Sequence, residues 1–306
     1  MRAANSLALA VLLLPGFACE AQSQAEEPFQ ISVNLNLVVL QAAVHDRNGR
    51  FAPDLHEGDF AVYEDGVRQS IRLFRHEDIP VTVGLVVDHS GSMRPKLPWV
   101  IAAARTFVAS SSAQDQMFVV NFNEKVTFGL PGAVRLSDRP DELARAISSQ
   151  PTTGKTALYD AVAAAFTGFG AGGPDKKVLI VISDGGDNAS AHTLAEVLKT
   201  AEESSALIYT IGIFDEDDKD RNPDVLRRLA RATGGEAYFP PEFDRVVSIC
   251  ENIAHDIRNQ YTIGYVSNNA EKPGALRSIR VTAQAAGHGK LLVRTRSGYI
   301  AGAASP

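Results

Sequence analysis

The sequence predicts an α/β fold: a doubly wound, mostly parallel sheet flanked by helices, inserted in or attached to a small antiparallel β-sandwich formed by the N- and C-terminal flanks. Three observations predict it. From Val81 to Gln260 short apolar runs alternate with helix-length segments, the pattern of βαβ units sharing a parallel sheet. Before Val81 and after Gln260 the helical period disappears, and short strands separated by turn residues replace it. Each β-rich flank is too small to bury a stable core by itself, so pairing the two is the economical arrangement, the alternative being two tiny separate units.

The first element is a leader. Arg2, the apolar run Leu7 to Leu14, Pro15-Gly16 and the small residues Ala18, Cys19 and Ala21 give residues 1–21 the three-part pattern of a secretory signal peptide. The run falls short of the about 20 apolar residues that span a bilayer, and cleavage after Ala18 or Ala21 both fit. Cys19 also stands where bacterial lipoproteins carry a lipidated cysteine, although Gly16 and Phe17 depart from that motif. A secreted or periplasmic protein is expected, with an outer-membrane lipoprotein attached through Cys19 as the variant. The only other cysteine is Cys250, so the processed chain has no internal disulfide to make, and a buried, inert thiol is expected there.

Residues 28–79 form the N-terminal flank. Ile31, Val33, Leu35 and Leu37 alternate with polar residues, Val38 to Val44 continues the apolar run, and Asp46-Arg47-Asn48-Gly49-Arg50 carries the Asn-Gly hairpin signal. Phe60 to Tyr63 and Ile71 to Phe74 bracket a second turn at Glu64-Asp65-Gly66. Residues 80–259 form the α/β domain, with strands expected at 81–87, 116–121, 125–129, 178–183 and 207–213 and helices near 96–110, 139–149, 157–168, 192–204, 222–232 and 243–258. Thr233-Gly234-Gly235 ends one helix with a glycine cap and feeds the short strand Glu236 to Phe239. Residues 260–300 return to strands at Tyr261 to Val266, Ser278 to Ala283 and Lys290 to Thr295, with turns at Asn268 to Gly274 and Gly287-His288-Gly289.

Chemistry concentrates where the first central strand ends. Val83 to Met93 reads V-G-L-V-V-D-H-S-G-S-M, so an apolar strand runs directly into Asp88, Ser90 and Ser92. Residues two apart share a face of an extended chain, which aligns the three oxygens, and Gly91 is expected to let the backbone turn between the serines. Two hydroxyls and a carboxylate suit a hard divalent cation such as Mg²⁺, which takes oxygen ligands and keeps several waters.

D-x-S-x-S at the end of a buried first strand resembles the metal-ion-dependent adhesion site (MIDAS) of von Willebrand factor A (VWA) domains, whose α/β fold is Rossmann-like. Two further pieces of that pattern follow in order: Thr156 in Thr153-Gly154-Lys155-Thr156-Ala157 ahead of a helix, and Asp184 at the end of Val178-Leu179-Ile180-Val181-Ile182-Ser183. The flanks, with E-D-G-V-R-Q-S-I and the closing R-T-R-S-G-Y-I, resemble a bacterial "VWFA-related" family expanded in acidobacteria. The resemblance implies Ser90, Ser92 and Thr156 as ligands, direct or through water, of a divalent cation, Mg²⁺ or else Mn²⁺ or Ca²⁺. It implies that Asp88 and Asp184 hold the hydroxyls and waters or bind the ion directly. It further implies a non-enzymatic adhesion module whose ion accepts an acidic side chain from a protein partner. An assembly component of an envelope complex with a stabilising metal is the alternative.

Rival chemistries fit less well. Thr153-Gly154-Lys155-Thr156 resembles the tail of a P-loop, but that motif needs glycine where Ser149 stands, and it must leave a strand rather than the helical segment Pro140 to Gln150. His89-Ser90-Gly91 lacks the flanking glycine of a nucleophile elbow, and no H-E-x-x-H or Cys/His cluster occurs. Asp215 to Asp220 lacks the glycine and closing glutamate of an EF-hand loop and reads as a solvated loop. A net charge of −6 and 7% aromatic residues argue against nucleic acid. His89 occupies a variable position of the motif; beside a metal it could make partner binding sensitive to pH near about 6.5, the plainer reading being an exposed bystander.

Overall fold

The computed structural model describes residues 37–132, 136–170, 176–214, 221–269 and 274–301. The leader with Cys19, the alternation from Ile31 to Leu35, the run Asp215 to Asp220 and the middle of the turn Asn268 to Gly274 lie outside the described residues. The N-terminal flank forms β1 (Leu37–His45), β2 (Phe60–Glu64), β3 (Val67–Gln69) and β4 (Ile71–Arg75). The α/β region follows as β5 (Val81–Asp88), α1 (Leu97–Ala109), β6 (Gln116–Phe122), β7 (Val126–Phe128), α2 (Pro140–Ile147), α3 (Leu158–Gly168), β8 (Lys176–Ser183), α4 (Leu194–Glu203), β9 (Leu207–Gly212), α5 (Pro223–Thr233), β10 (Ala237–Tyr238) and α6 (Arg245–Arg258). The C-terminal flank supplies β11 (Tyr261–Val266), β12 (Leu276–Ala283), β13 (Leu292–Arg294) and β14 (Gly298–Ile300). β14 is too short to announce itself by a period.

The central sheet runs β10-β9-β8-β5-β6-β7, parallel except for the edge strand β7. β5 lies inside it with every residue buried, as a strand covered on both faces requires. Val83, Leu85 and Val87 enter a core with Val100 and Phe107 of α1 and Ile253 of α6. Val86 faces the opposite core, with Leu158 of α3, Val197 of α4 and Leu229 of α5. Gly84 belongs to that second face, where a Cβ would fall 2.4 Å from Phe118 Cζ and 2.6 Å from Leu179 Cδ2. The Phe118 ring takes the space that a side chain at position 84 would need.

The flanks pair as the sequence predicts, in two antiparallel sheets ordered β13-β1-β11-β4 and β14-β12-β2-β3. Their shared core takes Leu40, Phe60 and Val62 from one flank and Tyr261, Ile263, Tyr265 and Val281 from the other, so neither flank has a core of its own. Buried Glu64 accepts the Tyr265 hydroxyl at 2.7 Å and the Ser267 hydroxyl at 2.6 Å. β4 and β11 are neighbours, with Thr262 opposite Arg75. The chain therefore leaves the sandwich and returns to it on adjacent strands, the arrangement that makes a domain insertion easy to accommodate.

Polar contacts hold the α/β region and the sandwich together. Arg258 of α6 reaches Asp78 of the N-terminal flank at 2.8 Å, and Arg294 of β13 pairs with Glu236 and Asp256. Gly234 caps α5 in the left-handed region at φ 88°, as expected for a helix ended by glycine. A Cβ there would fall 2.3 Å from Arg296 N, so glycine at this position also admits the C-terminal flank.

Candidate metal centre

β5 delivers Asp88 to the carboxyl end of the sheet, with β6 on one side and β8 on the other. This is the switch point, where open α/β sheets form their crevice. Ser90 is extended, at φ −60° and ψ 165°, but Gly91–Met93 close a turn of 3₁₀ helix. The chain thus departs from the extended alternation expected of Asp88, Ser90 and Ser92; the tight turn brings the two serine oxygens to 3.1 Å. Gly91 is not left-handed, and a Cβ on it would meet nothing nearer than Gly154 O at 3.8 Å. Neither strain nor crowding accounts for that glycine. The serines do not cap the first helix either, because α1 starts at Leu97 behind Lys96.

Hydrogen bonds join the loops. Asp88 Oδ1 accepts Ser90 N at 2.7 Å, and Oδ2 accepts the Ser183 hydroxyl at 2.6 Å. The Ser92 hydroxyl donates to Asp184 Oδ2 at 2.6 Å, which leaves the Ser90 hydroxyl as donor to Ser92. Asp184 follows β8 immediately; its Oδ1 accepts Gly186 N at 3.1 Å, and its carbonyl accepts Asn222 N at 3.0 Å. Gly185 must be glycine, since its φ is +81° and a Cβ would fall 2.4 Å from Asn222 O.

The Thr156 loop is tied to the β5 loop by Thr153 N donating to His89 O at 2.8 Å and Gly91 N donating to Gly154 O at 3.3 Å. The Arg94 guanidinium adds two bonds to Thr152 O, at 3.3 and 3.1 Å. Thr156 itself is buried. The fold therefore links Ser90, Ser92 and Asp184 directly, Asp88 through Ser183 and the Ser90 amide, and Thr156 through the backbone of its loop at Thr153 and Gly154.

Electrostatics give this cluster its character. Asp88 is fully buried, and its carboxyl is pushed up to about 7, first by burial and then by the charge of Asp184, against the lowering effect of bonds from Ser183 and Ser90. Two carboxylates sharing a buried site resist joint ionisation unless a cation joins them. The donors are hydroxyl and carboxylate oxygens, the set that Mg²⁺, Mn²⁺ and Ca²⁺ prefer. Among the described residues, no three His, Cys, Asp or Glu side chains group to hold a metal. An ion at this site would therefore depend on the hydroxyls, and the residues present fit one.

His89 corrects its expectation. It is fully buried rather than exposed, Nε2 lies 3.2 Å from Asn121 Oδ1, and burial lowers its pKa below the usual imidazole value. Burial therefore favours the neutral ring over the charged one. Lys155 is exposed, as expected of a loop charge, and the segment before its loop is helical α2, which is incompatible with a P-loop. Cys250 is buried, with its thiol pushed up to about 12 by burial. Sequence reasoning missed Ser183, whose only signal is a polar residue closing an apolar strand. It also missed Lys96, fully buried with Nζ donating to Ile213 O at 3.1 Å. Asn188, which grips Thr156 from the loop after Asp184, carried no sequence signal at all.

An open, doubly wound sheet that gathers hydroxyls and carboxylates at its switch point, instead of a glycine-rich phosphate loop, defines an α/β domain with an oxygen-donor site. The sequence profile of the von Willebrand factor type A domain matches residues 82–252, more than half of the chain, and the chain belongs to this family. Such domains are typically protein-interaction modules and commonly bind a divalent metal. Among solved structures, a von Willebrand factor type A protein from Catenulispora acidiphila is similar at 16% identity and a TM-score of 0.51, covering 79% of this chain and 73% of its own. Proximal thread matrix protein 1 from the mussel byssus is similar at 16% identity and a TM-score of 0.51, covering 64% of this chain and 51% of its own. The same mussel protein with a zinc-occupied MIDAS motif is similar at 17% identity and a TM-score of 0.50, covering 62% and 48%. No curated protein matches the chain. Among the described residues, no helix is long and apolar enough to cross a membrane.

Proposed function

We propose that Asp88, Ser90, Ser92, Thr156 and Asp184 hold a divalent cation, Mg²⁺ ahead of Mn²⁺ and Ca²⁺, as a MIDAS. The observation that carries this reading is the oxygen cluster at the ends of β5 and β8, where the Ser90 and Ser92 hydroxyls lie 3.1 Å apart and Ser92 meets Asp184 at 2.6 Å beside the fully buried carboxyl of Asp88. Ser90, Ser92 and Thr156 supply oxygens directly or through water, and Asp88 and Asp184 either bind or orient those waters. The ion supplies an electrophilic position with room for one more oxygen, and the carboxylate of an acidic side chain on a protein partner completes the set. The zinc-occupied motif of the mussel protein supports an ion on this fold.

In this reading the protein is a non-enzymatic adhesion module that does not bind nucleic acid. Its leader directs it to the periplasm or the exterior, with membrane attachment only through lipidation of Cys19, and its flanks place it with bacterial "VWFA-related" proteins. Chelator-reversible capture of a partner from the envelope or secreted fraction by wild type, lost in Ser92→Ala, is the expected result. Capture unaffected by EDTA contradicts it. A second reading draws on the same buried carboxylates: the ion serves chiefly to stabilise the fold. Ser92→Ala separates the two by partner capture: an adhesion site loses the partner even under conditions where the variant is folded, whereas a purely stabilising ion lowers the unfolding midpoint and leaves capture intact.

A further inference from the structure

Among the described residues, the backbone bonds of Thr156 come from outside its own loop. The helix behind it, α3, has Ala157 at its N-cap and no side-chain cap, so a threonine there would be free to turn its hydroxyl away. Both polar backbone atoms of Thr156 are instead held by the segment that follows Asp184. Thr156 N donates to Asn188 Oδ1 at 3.0 Å, while Thr156 O accepts Asn188 N at 2.9 Å and Ala189 N at 3.1 Å. Holding the amide and the carbonyl of one residue from the same neighbour fixes its backbone rotation, and with it the direction of Cβ.

The same segment then caps α3 from outside. Asp187 Oδ2 accepts Tyr159 N at 3.0 Å and the Ser190 hydroxyl at 2.5 Å, and Ser190 Oγ accepts Asp160 N at 3.1 Å. Asp160 returns the grip by accepting Ala191 N at 3.0 Å and His192 N at 2.9 Å. Two loops from distant parts of the chain are thus zipped into one piece that carries both Thr156 and Asp184. The β5 loop, with Ser90 and Ser92, faces them.

We infer that Asn188 is a positioning residue that sets the Thr156 hydroxyl for the cation by clasping the Thr156 backbone, so that Thr156 and Asp184 present their oxygens as a single preformed unit. The inference rests on the metal reading proposed above and deepens it. Partners that orient metal ligands typically contribute 10–100-fold to affinity, and the Asn188 side chain supplies one of the three bonds of the clasp.

Calorimetric titration with Mn²⁺ tests it. Asn188→Ala should bind about tenfold more weakly than wild type, while in a Thr156→Ala background the same change should do nothing further. Asn188→Asp, which keeps the acceptor, should restore binding. Amide exchange supplies a readout independent of the metal: the Thr156 N–H should be protected in wild type and in Asn188→Asp and exchange rapidly in Asn188→Ala, with thermal unfolding confirming that each variant is folded. Wild-type binding with Asn188→Ala unchanged overturns this inference alone, as does an equal loss in the Thr156→Ala background. Absence of binding by wild type overturns the metal reading and this inference with it, and Thr156 exchange unchanged by Asn188→Ala removes the clasp itself.

Discussion

Asp88 concentrates the physics of the site. Its carboxyl is raised from 3.8 to about 7 in the folded chain, so between those values the folded state holds a proton that the unfolded state has released. The stabilising contribution is then fully present at acid pH and is lost as pH rises through about 7. In EDTA, Asp88→Asn should gain stability relative to wild type as pH increases from 5 to 8, read as the difference in urea midpoints; a difference independent of pH contradicts the shift. Saturating Mg²⁺ should restore wild type most at the alkaline end. Ser183→Ala removes the hydroxyl that Asp88 Oδ2 accepts at 2.6 Å and should cost about 1–3 kcal/mol in urea unfolding. The oxygen-bearing residues were legible in the sequence because their types and order are distinctive. The burial of His89 and the clasp by Asn188 were not, since both depend on loops that meet only after the sheet has formed.

Among the elements, periodicity gave the central strands and helices nearly to their ends because the strands are covered on both faces and each helix buries one apolar face. The 3₁₀ turn at Gly91–Met93 escaped that logic, being closed by its own bond from Met93 N to Ser90 O and tied to the neighbouring loop through Gly91 N and Gly154 O, not set by any repeat. Packing of β5 makes its own prediction. Gly84→Ala drives a methyl to 2.4 Å from the Phe118 ring and should destabilise by about 1–3 kcal/mol through overpacking, seen as a lowered urea midpoint with an unchanged slope. A midpoint equal to that of wild type shows that Phe118 yields freely. Because β5 also ends in Asp88, the same substitution should weaken metal binding if the strand shifts along its axis.

Over the whole molecule, the sandwich and the α/β region depend on chain connectivity as much as on contact. β1 lies between β11 and β13, and β2 pairs with β12, so the N-terminal flank borrows most of its neighbours from the C-terminal one. Deleting residues 260–301 should leave β1 to β4 without a core, and limited proteolysis should then cleave within residues 37–79; resistance there contradicts the shared core of Phe60, Tyr261 and Val281. The pairing itself was legible from the weakness of each flank alone. The polar seam around Arg294, Glu236 and Asp256 was not, because residues far apart in sequence meet there without a motif. A cation held by the oxygens at the end of β5 is measurable by titration. Calorimetry of the metal-free protein with Mg²⁺ at pH 8 should show a single site in wild type and none in Ser92→Ala; absence of binding in wild type, or equal binding in Ser92→Ala, rules out a cation site at these oxygens.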